Sequence, residues 1–279
     1  MIRLAEAREP GIPWTQPEYE GRNMKVVAIN GSAKKDSGRT AAILNQLLDG
    51  LKESGAMVEK FNAYELDLKS CKGEFSCWFN NPGQCFQKDD MQWLSPKLQA
   101  ADVWILASPV YSWGFSGALQ TVLDRTVSGI EPFFSINEGH SSHPLRQGSV
   151  ERTIALVSSC GLWEMDNFDP LLAQIRLMCL GMGFHYAGAL LRPHSEAMRA
   201  FPGTSQSAAG VLEAAHEAGR ELSSTGMFSQ PTMDAVSCPL TSMDQYLELS
   251  NRFLQSKIGK TRAGTLQSAL SGSSQGFTK

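Results

Sequence analysis

Short runs of apolar, often β-branched residues alternate with segments of helical periodicity along this chain. The first run reads KVVAIN and stops at Gly31, and the apolar side chains from Ile43 to Leu51 then recur at helical spacing. Such runs are typical of strands buried on both faces of a parallel sheet, whose connections are long enough to hold helices. The alternation therefore predicts an α/β fold with a doubly wound, five-stranded parallel sheet. We expect strands at 25–30, 57–61, 103–107, 153–157 and 184–191.

The segments around these strands suggest how the chain is divided. Two amphipathic patterns, at about 207–226 and 242–254, follow the last strand, and no further strand pattern accompanies them. The region 128–150 has no periodicity and is predicted to be a long loop. The Ser- and Gly-rich end of the chain predicts disorder. The expected division is a 1–23 N-terminal extension, a 24–200 α/β domain, a 201–260 C-terminal helical appendage and a 261–279 disordered tail.

Composition argues against several classes of partner. The formal net charge is −3, so no overall basic field is present to hold a nucleic acid or an anionic membrane. No apolar stretch approaches the roughly 20 residues that span a bilayer, and the first residues lack the apolar core of a signal peptide. We therefore expect a soluble, cytoplasmic protein whose six cysteines stay reduced.

The loop after the first strand has the features of a phosphate-binding loop. It reads NGSAKKDSGRT over residues 30–40 and leads directly into the first helix. A phosphate at this position would meet unpaired backbone N–H groups and the positive end of the helix dipole. Hydroxyls of Ser32, Ser37 and Thr40 add donors, and Lys34 and Arg39 add charge. The alternative is a purely structural loop in which Ser37 caps the helix.

Two further loops follow strands at the same predicted edge of the sheet, where ligands of open α/β sheets bind. The first reads ASPVYSWGFSG over residues 107–117 and offers the aromatic side chains of Tyr111, Trp113 and Phe115 to a planar ring. These aromatics could instead belong to the core. The second reads SSCG over residues 158–161, and its small residues permit close approach of a ligand to the backbone.

These loops together resemble those of the flavodoxin-like NAD(P)H-dependent FMN reductases and the related iron–sulfur flavoproteins, over about residues 24–191. The resemblance implies strand order 2-1-3-4-5, bound FMN and a nicotinamide nucleotide as co-substrate. It implies that the first loop holds the FMN phosphate, the second contacts the ribityl chain and the ring, and the third borders the ring's polar edge. The implied cofactor-binding residues are Ser32, Lys34, Ser37, Gly38, Arg39, Thr40, Ser108, Pro109, Val110, Tyr111, Trp113, Ser158, Cys160 and Gly161.

The segment 71–91 is where the chain departs from the iron–sulfur flavoproteins. Their pattern resembles C-x2-C-x2-C with a fourth cysteine further on, whereas Glu74 occupies the second cysteine position here. A carboxylate is a poor ligand for an iron–sulfur cluster, which normally takes four thiolates. We therefore expect no cluster, and a segment whose cysteines remain thiols. Zinc bound by Cys71, Cys77, Cys85 and Glu74 is the alternative.

The resemblance implies an enzyme in which the flavin, and no protein side chain, carries the redox chemistry. Electrons would pass from reduced nicotinamide through FMN to a small acceptor such as a quinone, a nitro or azo compound, free flavin or a ferric species. A homodimer or higher homo-oligomer is also implied. The alternatives are an electron carrier of the flavodoxin type, an iron–sulfur flavoprotein relative and a flavin-free scaffold protein.

Overall fold

The computed structural model describes residues 23–137, 139–146, 152–198 and 205–272, with the side chains of 205–207 and 260–272 excepted. The expected extension before Asn23 and the last seven residues of the expected tail lie outside these ranges. The strands are β1 Lys25–Asn30, β2 Met57–Asn62, β3 Val103–Pro109, β4 Ser135–Asn137, β5 His140–Ser142, β6 Thr153–Ser159 and β7 His185–Arg192. The helices are α1 Arg39–Glu53, α2 Ser76–Phe79, α3 Met91–Ala100, α4 Gly117–Asp124, α5 Asp169–Met182, α6 Ser205–Thr225, α7 Gln230–Ser237 and α8 Met243–Gly272.

Five strands form one parallel sheet in the order β2-β1-β3-β6-β7. Counted along the chain, these strands are the five that the sequence predicts, and the order is the predicted 2-1-3-4-5. Residues of β3 and β6 are buried along almost their whole length, as expected of central strands with helices on both faces. The fold class is therefore confirmed as flavodoxin-like α/β.

Alternate residues of β1 point to two separate hydrophobic cores. Val26 and Ala28 belong to the core beneath α1 and α6, while Val27 and Ile29 belong to the core beneath α3, α4 and α5. Successive side chains of a strand point to opposite faces of the sheet. Because both faces of β1 are covered by a core, almost every side chain of the run is apolar.

Helix α6, expected in the appendage, belongs to the first of these cores, and so does α7, which follows it. Val211, Ala215 and Leu222 of α6 are fully buried against α1. Helices α1 and α6 touch through glycines. A Cβ on Gly50 of α1 would lie 2.0 Å from the carbonyl oxygen of His216, and a Cβ on Gly219 of α6 would lie 2.3 Å from the carbonyl oxygen of Leu47. Close packing of the two backbones therefore attaches α6 to the α/β domain.

The structure also contains elements that the sequence analysis did not anticipate. The antiparallel hairpin β4–β5 lies within the region predicted to be a long loop. Helices α3 and α7 were not anticipated either, and α8 extends through residues 261–272 of the expected tail. No helix in the described ranges has the length and apolarity needed to cross a membrane.

Candidate functional site

The three predicted loops meet at the carboxyl edge of the sheet because β1, β3 and β6 are neighbours. Asn30 pairs with Ala107, and Ser108 pairs with Ser158. The loops are joined at their origins as well: Gly31 N donates to Ala107 O at 2.7 Å and Val110 N donates to Ser159 O at 2.9 Å. The first, second and third loops therefore form one continuous rim.

The first loop is shaped by its own polar groups. Asn30 Oδ1 accepts from Ser32 N at 3.1 Å, and Ser32 Oγ accepts from Lys34 N at 3.2 Å. Helix α1 then begins after Gly38, which has no side chain to cap the first N–H groups. A Cβ at Gly38 would lie 2.8 Å from Ser32 Oγ, so glycine keeps this space clear. The geometry is that of an anion cradle at a helix N-terminus and fits a phosphate.

Several predicted ligands of the phosphate are engaged within the protein. Arg39 forms an ion pair with Glu196, and the hydroxyl of Thr40 lies 2.6 Å from that of Ser159. Ser37 Oγ donates to Lys34 O at 2.8 Å. These three side chains shape the rim, whereas Lys34 is exposed on it. Backbone N–H groups and Lys34 are thus better placed than Arg39 or Thr40 to meet an anion.

The second loop presents two aromatic side chains outward through a tight turn. Tyr111 and Gly114 exchange two backbone hydrogen bonds of 3.0 Å, and the residues between them, Ser112 and Trp113, adopt φ of 48° and 56°. Left-handed backbone at two successive non-glycine residues is unusual. Tyr111 is 42% and Trp113 60% exposed, so these two aromatics do not belong to the core. Phe115, by contrast, is buried in it.

Predicted serines of the second and third loops connect those loops to each other. Ser158 Oγ donates to Ser108 O at 2.7 Å, and Ser108 Oγ accepts from Ser116 N at 3.0 Å. Both serines are fully buried. Pro109 and Val110 are half-buried at the rim. The serines therefore fix the loops, while Pro109 and Val110 form part of the surface that a ligand would meet.

Cys160 and Gly161 of the third loop are held by the C-terminal part of the chain. Cys160 is buried, its sulfur accepts from Leu162 N at 3.3 Å, and burial raises the pKa of its thiol. Gly161 is exposed, and its carbonyl accepts from Tyr246 Oη at 2.5 Å. The first turn of α8 therefore contacts the rim.

Three residues beside the third loop were missed by the sequence analysis. Arg192 is fully buried, and its Nη1 donates to Val236 O and Cys238 O at 2.8 Å each, at the end of α7. His194 contacts Arg192 and stacks on Trp163 with ring centroids 4.3 Å apart. Burial, and then the Arg192 charge, lower the pKa of His194 from 6.5 to about 4. Arg192 is the last residue of β7 and His194 follows it. Their position at the ligand-binding edge was the available signal.

The cysteine segment does not fit an iron–sulfur cluster. Cys71, Cys77 and Cys85 line one cavity whose solvent-accessible space is about 10 Å³, enough for about one water molecule. Glu74, at the missing cysteine position, accepts from Ser76 N and Ser76 Oγ at 2.9 Å each. Within the described ranges no group of three or more metal-binding side chains is arranged to hold an ion.

A buried ion pair borders the same cavity. Arg125 and Asp89 are both inaccessible and joined by two hydrogen bonds of 2.6 and 3.0 Å. Burial alone would lower the pKa of Arg125, but the Asp89 carboxylate and the sulfur of Cys85 raise it above its ordinary value. Desolvation alone would raise the pKa of Asp89. The hydrogen bonds from Arg125 and from the backbone N–H groups of Lys69 and Met91, together with the Arg125 charge, lower it below its ordinary value.

Sequence comparison identifies relatives of the region that contains these loops. Residues 24–162 match the family described as NADPH-dependent FMN reductase. An iron–sulfur flavoprotein of Archaeoglobus fulgidus is 32% identical over 103 residues, which cover 37% of this chain and 49% of that protein. The chain spans about half the length of the curated relatives it matches.

Solved structures resemble the fold of this chain at low sequence identity. An FMN-dependent NADH-azoreductase from Bacillus anthracis in complex with FMN superposes with a TM-score of 0.52 at 15% identity, covering 71% of this chain and 99% of that one. An NAD(P)H:quinone oxidoreductase from Methanothermobacter marburgensis gives 0.50 at 16%, covering 72% and 96%. The family match places residues 24–162 in the NADPH-dependent FMN reductase family, and the solved structures show that the fold around them is flavodoxin-like.

Proposed function

We propose that this protein is an FMN-dependent oxidoreductase that passes electrons from a reduced nicotinamide nucleotide to a small acceptor. The observation that carries the proposal is the cradle before α1, where Gly38 leaves the first N–H groups of a 15-residue helix uncapped beside Ser32. Such a cradle suits the dianionic phosphate of FMN. A quinone, a nitro or azo compound, free flavin or a ferric species are the candidate acceptors.

The rim residues divide into those that would contact the cofactor and those that would support them. Ser32, Lys34 and the backbone of 38–40 would hold the phosphate, and Pro109, Val110, Tyr111 and Trp113 would border the ribityl chain and ring. Trp113 is fixed by a 2.9 Å hydrogen bond from its Nε1 to Asn167 Oδ1, so its indole is already oriented. Ser108, Ser158, Thr40, Ser37 and Arg39 would act by holding the loops in place.

The described side chains at the rim are suited to binding more than to proton transfer. Cys160 stays a neutral thiol because burial raises its pKa, and His194 stays neutral at pH 7 because its pKa is about 4. When bound, FMN itself supplies hydride acceptance and electron donation. The protein's tasks are therefore to anchor the phosphate, present the ring at the aromatic turn and limit access of water.

The test begins with flavin-depleted protein titrated with FMN and with riboflavin, which lacks the phosphate. We expect FMN to bind and riboflavin to bind far more weakly, followed by rapid anaerobic bleaching of the FMN absorbance when NADPH or NADH is added. Equal affinity for both flavins would refute the phosphate site. Tight FMN binding without bleaching would instead indicate an electron carrier of the flavodoxin type.

A matched pair of lysine variants separates local contact from overall charge. Lys34→Ala removes a cation from the proposed cradle, whereas Lys52→Ala removes one from the far end of α1, where Lys52 pairs with Asp49 at 3.1 Å. A charge-assisted hydrogen bond contributes about 1.5–3 kcal/mol, so Lys34→Ala should weaken FMN binding by about tenfold or more. Lys52→Ala should change it little. Equal effects of the two variants would contradict the placement of the phosphate.

The homodimer that the resemblance implies stays a prediction, as does the cytoplasmic location. Sedimentation velocity of the flavin-bound protein tests the first. A single species at the mass of one 279-residue chain would contradict it.

A further inference from the structure

The three cysteines of the segment 71–85 are several residues apart in sequence and line one cavity. Cys71, Cys77 and Cys85 all line it, together with Arg125. Gly83 N donates to Cys77 O at 2.9 Å, which folds the segment back on itself and brings Cys85 towards Cys77. The solvent-accessible space of about 10 Å³ holds roughly one water-sized molecule. The cavity is therefore matched to a very small reactant.

Arg125 gives this cavity a cationic wall. Its side chain is 1% exposed, and its Nε is buried without a hydrogen-bond partner among the described residues. The Nη1 and Nη2 atoms of the guanidinium donate hydrogen bonds to the Asp89 carboxylate. A buried guanidinium with an unused donor favours an additional anion nearby. Glu74 does not supply it, because its carboxylate accepts from Ser76.

Of the three thiols that line the cavity, Cys85 is the one that interacts with the Arg125 guanidinium. The thiolate is the nucleophilic form of cysteine. Cys77 is buried and Cys85 is partly accessible. Small molecules from solution would therefore reach the sulfur of Cys85 before that of Cys77.

We propose that the cavity is a peroxide-reactive dithiol site, in which Cys85 is oxidised first and Cys77 then forms a disulfide with it. The Cys85 thiolate attacks one oxygen of hydrogen peroxide, so that an S–O bond forms, the O–O bond breaks and hydroxide leaves. Sulfur loses two electrons and peroxide gains them. The Cys77 thiol then attacks the sulfenic sulfur, so that the S–S bond forms, the S–O bond breaks and water leaves with the thiol proton. A small-molecule dithiol returns two electrons and restores both thiols.

The experiment treats the reduced full-length protein with hydrogen peroxide, blocks remaining thiols with N-ethylmaleimide and maps peptides without reduction. We expect a Cys77–Cys85 cross-linked peptide that dithiothreitol abolishes. Cys179 should be alkylated only after denaturation, because burial raises the pKa of its thiol to about 12. A cross-link through Cys71 in place of Cys77, or no cross-link at all, would overturn the proposal.

Serine variants test the order of the two steps. Cys77→Ser should leave a sulfenic acid on Cys85 that dimedone traps, Cys85→Ser should abolish the reaction, and Cys71→Ser should leave the cross-link intact. Thermal unfolding of each variant checks that the fold persists. The assigned roles would be contradicted if dimedone labelled Cys77 in the Cys85→Ser variant as strongly as it labels Cys85 in the Cys77→Ser variant.

A second measurement tests whether these thiols instead hold a cluster. Reduced protein is incubated anaerobically with ferrous iron and sulfide, desalted and assayed for iron and acid-labile sulfide. We expect neither to be retained. Retention of both, with protection of the three cysteines from alkylation, would replace the dithiol site by a cluster site. Because neither measurement depends on flavin, its outcome is separate from that of the flavin titration.

Discussion

Replacing Gly219 by alanine should loosen the packing of α6 against α1, and the size of the effect follows from the geometry of their contact. The added Cβ would lie 2.3 Å from Leu47 O and 2.7 Å from Leu51 N. Both atoms belong to the backbone of α1, so the helices must separate by about 1 Å to reach ordinary contact. Overpacking of this kind costs about 1–3 kcal/mol, and backbone neighbours favour the upper end of that range.

Alanine also has an intrinsic advantage over glycine in a helix, of about 1 kcal/mol. The net loss in the free energy of unfolding expected for Gly219→Ala is therefore about 2 kcal/mol. The matched control is Gly210→Ala on the same helix, where an added Cβ meets no atom within 4 Å. That variant should gain up to about 1 kcal/mol, so the two should differ by about 3 kcal/mol.

Urea unfolding followed by circular dichroism measures both variants against the parent protein. We expect Gly219→Ala to lower the midpoint and Gly210→Ala to raise it slightly. In thermal unfolding, a loss of 2 kcal/mol corresponds to a decrease of roughly 4–8 °C for a domain of this size. If Gly219→Ala were as stable as Gly210→Ala, the close packing of α6 against the α/β domain would be refuted.

The remaining predictions concern two buried ionisable groups. His194 has its pKa lowered from 6.5 to about 4 by burial and by Arg192, so the unfolded chain binds a proton in that interval that the folded chain does not. Stability present above pH 6.5 should therefore decrease, by up to roughly 3 kcal/mol, as the pH falls to 4. His194→Gln should flatten this part of a denaturation profile, and an unchanged profile would contradict the assignment. Asp89→Asn should cost about 3–5 kcal/mol because it leaves Arg125 buried and unpaired, whereas Glu59→Gln, which removes a surface pair with Lys97, should cost at most about 1 kcal/mol. Equal losses in urea unfolding would contradict the difference in burial.

The sheet could be predicted from the sequence because its strands are continuous apolar runs. The run at 25–30 coincides with β1, and the others differ from the observed strands by a few residues at their ends. At the end of β3, Ser108 and Pro109 continue the pairing with β6, although Ser108 is polar and Pro109 has no backbone N–H to donate. Burial on both faces gives a pattern that local sequence expresses directly.

The rest depends on contacts between distant parts of the chain. Helix α7 packs where Gly188, with φ of 115°, leaves room for Phe228 and Met233. The eight residues of α7 alone do not reveal this contact with β7. The partners of Arg192 are carbonyls 44 and 46 residues further along the chain. The sequence analysis located the three loops correctly at one edge of the sheet. It could not tell that Lys34 is exposed at the rim whereas Arg39 is paired with Glu196, because this ion pair joins distant parts of the chain.

The most direct test of the proposed function is a crystal structure of the protein soaked with FMN. The phosphate should lie at the N-terminus of α1, within hydrogen-bond distance of the backbone N–H groups that follow Ser32 and Gly38, with the ring beside Tyr111 and Trp113. Density for FMN at any other place, or a cradle filled by the protein's own side chains under saturating flavin, would contradict the account.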